Sequence, residues 1–257
     1  MCTNYVPTRG DRLQEFFNAT MPSAPIREEA YPGYLAPIIK SLSPHDDSGR
    51  FSETVAACFG LIPSWSRDGK NYRFCYNARS ETVAEKPSFR TAWRKRQRCI
   101  IPVDAFFEPN YESGRAVRWR ISSADDRPLA LAGIWEAWRL PENVPRNQLG
   151  KRGQPGPPEI DPAETDWLIS FSMLTINADH HPLMNRFHAP GDEKRSVVML
   201  NPDEAMQWLD APESQVTDLF GAYPPEQLKT SPAPKKEQSR RQAKTTPAPI
   251  KAQPKLL

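Results

Sequence analysis

Apolar residues fall mostly into short runs with a two-residue period, broken by polar, glycine or proline positions. Residues 54–61, 99–108, 117–122, 129–138, 168–177 and 197–200 read as strands on this pattern, and 73–77 is read the same way. Helical spacing is rarer. Leu13, Phe16 and Phe17 recur after Asp11, a candidate N-cap, and predict a short helix. A second helix is expected over 88–96. A third starts at Asn201, Pro202, Asp203 and Glu204, a cap followed by a first-turn proline and acids, with Ala205, Met206, Trp208 and Leu209 as its apolar face. A fourth, 212–220, stops at Gly221. Many strands with few strand–helix–strand repeats predict an α+β fold whose largely antiparallel, barrel-like core is flanked by short helices.

The chain has 257 residues, enough to bury a substantial core. Its net charge of +3 is unevenly spread: residues 230–257 carry seven basic side chains and one acidic one, whereas residues 1–229 carry 27 and 30. The positive charge therefore sits in a tail, and overall charge gives no argument for a nucleic-acid-binding body. Five of the 28 prolines also lie in that tail and six fall within 141–162, which reads as a long surface loop. One domain over residues 1–225, interrupted by that loop, is expected, with 226–257 a disordered basic tail too poor in apolar residues to offset its ordering entropy. No apolar run approaches a membrane span and the first residues lack a secretory pattern. A soluble, cytoplasmic protein, nucleoid-associated when bound to DNA, is the expectation.

Cys2, Cys58, Cys75 and Cys99 are widely spaced, with no C-x-x-C, so neither a metal nor a cofactor is expected. Cys58 and Cys75 sit in apolar surroundings and read as buried packing residues. Cys2 differs by position. If Met1 is removed, it carries a thiol and a free α-amine on adjacent carbons; the amine has a pKa of about 8, so part of it is unprotonated near neutrality. Such a group condenses with an aldehyde, through an imine and then thiol attack, to a five-membered thiazolidine. It can instead act as an N-terminal nucleophile in amide hydrolysis. A frayed terminus is the third possibility.

Glu108 closes a run in which Ile101, Val103, Ala105 and Phe107 alternate, so it points to the opposite face from Phe107. A carboxylate ending a buried strand is costly unless used or paired, which suits a general acid/base or an ion pair with a nearby arginine. Arg90, Arg94, Lys95, Arg96 and Arg98 form a basic cluster interleaved with Phe89 and Trp93. This combination suits single-stranded nucleic acid, or equally a solvated amphipathic helix whose Trp93 fills the core.

The residues MC-x-x-Y at the start, LIPSW (61–65), YNARSET (76–82), RCIIPVDAFFEP (98–109) and a histidine-bearing segment before VVML together resemble the SOS-response-associated peptidase (SRAP) family of abasic-site processing proteins. The resemblance runs in order from residue 2 to about 210. It implies an enzyme-like monomer that crosslinks itself through Cys2 to the ring-opened sugar of an abasic site in single-stranded DNA, a peptidase-like loss of Met1, and no membrane partner. A cysteine peptidase or amidase using the same residues is the alternative. By matched position, Asn77 would hydrogen-bond the sugar or the linkage, or be an ordinary strand-end asparagine. Arg79 would hold a phosphate, or simply pair with Glu81. Glu108 would shuttle protons, and Trp65 and Pro32, the latter in a Pro-Gly turn like the family's that helps form the pocket, would contact DNA; Arg90 and Arg94 of the basic cluster are expected to do so independently of the resemblance. The chain departs from the family pattern at Thr3 and Asn4, at Pro109, and where His-x-Arg-Met-Pro is usual. There the order is His188, a five-residue insertion, then Arg195, Ser196 and Val197, so His188 is the preferred catalytic histidine, His181 the runner-up, and Glu193 the residue an ungapped match would supply.

Overall fold

The computed structural model describes residues 2–41, 52–140 and 166–235. Among them are the strands β1 (Tyr5–Pro7), β2 (Leu35–Ser41), β3 (Ser52–Phe59), β4 (Asn77–Arg79), β5 (Arg98–Asn110), β6 (Val117–Ser123), β7 (Leu129–Arg139), β8 (Trp167–Asn177), β9 (Arg195–Val197), β10 (Met199–Leu200) and β11 (Leu228–Pro232). The helices are α1 (Asp11–Phe17), α2 (Arg90–Arg94), α3 (Pro202–Asp210) and α4 (Glu213–Val216). The fold is α+β. None of the described helices is long and apolar enough to cross a membrane.

Five strands close into a barrel. Antiparallel β2–β3, β2–β5, β5–β7 and β7–β8 pairings are completed by a short parallel β3–β8 contact at Cys58↔Ser170 and Phe59↔Phe171. Period-2 alternation divides each strand between two cores. On β5, Cys99, Ile101 and Val103 face the interior with Phe59 and Phe171, while Ile100 faces outward to a second cluster holding Leu13 of α1, Trp93 of α2 and Trp208 of α3. Each fully buried large apolar side chain contributes about 1.5–3 kcal/mol. Gly133 of β7 lets this close packing occur. A Cβ there would lie 2.7 Å from Ile101 Cδ1 and 2.9 Å from the Ser172 carbonyl.

β5 is the strand that builds the site. Its first half belongs to the barrel, and its second half runs on to pair with β1 and β6. The β1–β5 register passes from Val6↔Ala105 to Pro7↔Val103 and so skips Asp104, a bulge. The interior series Ile101, Val103 therefore continues as Phe106, not Ala105 or Phe107.

Several elements differ from their sequence expectations. Residues 73–76 are not a strand, which begins only at Asn77: Lys70–Arg73 is a 3₁₀ turn, and the Phe74 and Cys75 N–H groups both bond back to the Asn71 carbonyl. The aromatic run imitates a strand, but Phe74 is 83% exposed. Gly10, with φ 60°, caps α1, and Asp11 is a first-turn acid. The expected fourth helix is the short α4 followed by a 3₁₀ turn at Thr217–Leu219. β1, β2 and β11 were not anticipated. β11 pairs with β6 and lies beyond residue 225, so paired structure enters the segment read as tail. The loop at 141–162 lies outside the described residues, as does the tail from 236 onward.

Candidate active site

Cys2 is buried against the interior cluster, where its Sγ lies 3.5 Å from the Asn4 carbonyl that also accepts the Phe107 N–H. Asn77 opens β4, a strand held parallel to β8, and its Nδ2 donates to the Cys2 carbonyl at 2.8 Å. Asn77 Oδ1 is buried and finds no partner among the described residues. Glu108 is 2% exposed, on the opposite face from Phe107, whose ring lies under the Arg118 guanidinium. Its Oε2 is 3.6 Å from His188 Nδ1. His188 sits at φ 66°, where its backbone N–H donates to the Pro109 carbonyl, and its Nε2 lies 2.9 Å from the Arg195 carbonyl.

Burial sets the proton chemistry. It pushes the Glu108 carboxyl up to about 7. It holds the His188 imidazolium below the usual histidine range. It raises the Cys2 thiol strongly, reinforced by the Glu108 charge. Near neutrality the site holds a thiol, a neutral imidazole and a carboxyl that is half ionised, able to give or take a proton with little driving force either way. Among the described residues no three histidine, cysteine or acidic side chains converge as a metal site.

The remaining expected residues divide. Pro32 occupies the second position of a turn formed by Tyr31, Pro32, Gly33 and Tyr34; Gly33 takes φ 93°, and the Tyr34 N–H returns to the Tyr31 carbonyl. Trp65 is 55% exposed, its indole N–H bonded to the Pro87 carbonyl just before α2. Arg90 and Arg94 are exposed on α2, and no contact among the described residues joins them to Cys2. Two members of the basic cluster are not surface groups. Trp93 packs on Trp208 and Phe220, and Arg98 is buried, its Nη1 bonded to the Trp208 and Ala211 carbonyls at the end of α3. Arg79 is half exposed and pairs with Glu193 at 2.9 Å, not with Glu81. His181 faces elsewhere: its Nδ1 accepts the Leu183 and Met184 N–H groups, so its Nε2 donates to the Tyr223 carbonyl.

Other residues around the site were assigned no role from the sequence, although Tyr76 lies within YNARSET. Tyr76 is half-buried and its phenol is raised by burial, then by Cys2 and Glu108. Asn4 donates to Glu29 Oε2, which also receives the Tyr31 hydroxyl, while Arg118 pairs with the other Glu29 oxygen at 2.8 Å. This network fastens the segment that carries Cys2, but its members lie far apart in the chain.

A model of the SOS response associated peptidase (SRAP) family matches residues 1–238. The chain is 40% identical over 153 residues to abasic site processing protein YobE of Bacillus subtilis, covering 59% of this chain and 56% of that protein. It is 27% identical over 208 residues to abasic site processing protein HMCES of Xenopus tropicalis, covering 72% and 54%. A match to abasic site processing protein YoqW of Bacillus subtilis, 41% identical over 88 residues, covers 34% of this chain and 39% of that protein. The chain thus spans less than two thirds of these curated relatives. A solved structure from Bordetella bronchiseptica superposes with a TM-score of 0.72 at 33% identity, covering 90% of this chain and 99% of the other.

Proposed function

The chain belongs to the SOS response associated peptidase family, and from that membership and the surroundings of Cys2 we propose that it captures abasic sites in single-stranded DNA as a covalent thiazolidine crosslink. Loss of Met1 frees the Cys2 amine. The amine adds to the C1′ aldehyde of the ring-opened sugar, and water leaves to give an imine. The Cys2 thiol then adds to the imine carbon, its proton passing through Glu108 to the nitrogen, and the ring closes. One water is released overall. Glu108, poised near neutrality, supplies the proton to the departing hydroxyl and accepts the one from sulfur; His188 exchanges protons with Glu108 and assists ring opening of the sugar. Asn77 fixes Cys2 through its carbonyl and offers Oδ1 to the amine or a sugar hydroxyl.

The single observation that carries this reading is the meeting of Cys2, Asn77, Glu108 and His188, from four separate parts of the chain, at one buried point. Arg79 would exchange Glu193 for a phosphate, while Trp65 and the exposed Phe74 present faces to unpaired bases and Arg90 and Arg94 extend the phosphate track. The turn at Pro32 borders the strand end that carries Phe59.

Incubating the protein with a single-stranded oligonucleotide bearing one abasic site, followed by a denaturing gel, tests the reading. A shifted band that requires the lesion and disappears in Cys2→Ala is expected. No band from protein lacking Met1 would overturn it, and peptide cleavage without a band would favour amide hydrolysis.

A further inference from the structure

His188 is held at three polar atoms by its own loop and by β5. Its N–H donates to the Pro109 carbonyl, its carbonyl accepts Lys194 Nζ at 3.2 Å, and its Nε2 meets the Arg195 carbonyl at 2.9 Å. Because a carbonyl only accepts, Nε2 carries the hydrogen in the neutral ring and Nδ1 presents its lone pair to Glu108 Oε2. The Arg195 carbonyl therefore selects the tautomer.

Arg195 in turn is locked. It is 3% exposed; Nη1 and Nη2 engage both Glu81 oxygens at 2.6 and 2.9 Å, Nη1 also meets Glu193 Oε1 at 2.8 Å, and Nη2 also reaches the Thr175 carbonyl and hydroxyl on β8. Its strand β9 has only three residues, so these side-chain bonds staple it to β8 and to the turn after β4. A non-glycine residue at positive φ, as His188 is, persists where its surroundings over-determine it.

We propose that Glu81 and Arg195 are positioning residues that fix the His188 tautomer, so that a proton passes from Glu108 Oε2 to His188 Nδ1 when substrate closes the pair from 3.6 Å to hydrogen-bond distance. The transfer leaves a carboxylate and an imidazolium whose Nε2–H stays on the Arg195 carbonyl, and the reverse step returns the proton. This rests on the proton-carrying role proposed above for the two side chains. It explains why an acid at position 81, far from Cys2 in contact terms, serves the same chemistry as Asn77 four residues earlier.

Long-range proton–nitrogen spectra of the ¹⁵N-labelled full chain at pH 7.5, with His188 assigned through His188→Gln, read the tautomer directly. Wild type is expected to show the Nε2–H form alone. Glu81→Ala, at a half-exposed side chain, which leaves Glu193 as the one acid partner of Arg195 among the described residues, and Arg195→Lys, which keeps the charge, are expected to give a mixture of forms and crosslinking slowed at least tenfold. An Nδ1–H tautomer in wild type, or an unchanged tautomer in both variants, overturns the assignment, as does a mixed tautomer with an unchanged crosslinking rate. Failure of the crosslinking reading looks different: the expected tautomers with no covalent band even in wild type.

Discussion

Replacing Glu108 with glutamine is expected to make the protein more stable at alkaline pH while slowing its chemistry. The carboxyl has an ordinary value of 4.5 and is pushed up to about 7 by burial. Between those values the folded state holds a proton that the unfolded state has released, so folding stability is fully present below 4.5 and is lost as pH rises through 7. The rise from 4.5 to about 7 corresponds to about 3 kcal/mol. Glutamine cannot ionise and escapes this loss. Urea denaturation of wild type and Glu108→Gln from pH 4.5 to 8.5 should therefore show nearly equal stabilities at the acid end, with the variant gaining about 3 kcal/mol by pH 8. The gap should be flat above that. Groups common to both proteins cancel in the comparison. Parallel curves across this range would refute the burial argument, as would a variant less stable at pH 8. The same substitution removes the carboxyl proposed to carry protons, so crosslinking should fall as stability rises, separating a functional cost from a folding defect.

Three further outcomes follow from the geometry. Arg98→Ala removes the guanidinium bonded to the carbonyls at the end of α3 and is expected to cost about 2–3 kcal/mol in urea denaturation, with no specific effect on DNA affinity. Arg79→Ala should weaken single-strand binding and reduce the salt slope by about 0.7, which fluorescence anisotropy across a salt series measures. Trp65→Ala should cost about 1–3 kcal/mol in the same assay through lost base stacking, with little change in stability because the ring is half exposed.

The long strands were legible because burial on both barrel faces leaves continuous or alternating apolar runs, as in β5, β7 and β8. The start of α3 was legible because capping is local: Glu204 returns to the Asn201 N–H and side chain. β1 and β11 were hidden because strands of three and five residues, with prolines at their ends, are defined by their partners. For the site, alternation put Glu108 opposite Phe107, and so it lies. Alternation alone continues the interior series Ile101, Val103 through Phe107; the bulge at Asp104 reverses this. That bulge depends on pairing with β1, a hundred residues away. Motif matching preferred His188 to His181, but it could not show that the His188 ring lies beside Glu108 while the His181 ring is bonded within the turn at Leu183 and Met184.

The central claim is a linkage that consumes both the amine and the thiol of Cys2. Peptide mapping by mass spectrometry of the gel-purified adduct, after nuclease digestion and alkylation, tests it most directly. The N-terminal peptide is expected to begin at Cys2, to carry the sugar remnant with one water lost, and to have a thiol inert to alkylation. An N-terminal peptide in that same band that retains Met1, or carries no sugar while a lysine elsewhere does, would contradict it.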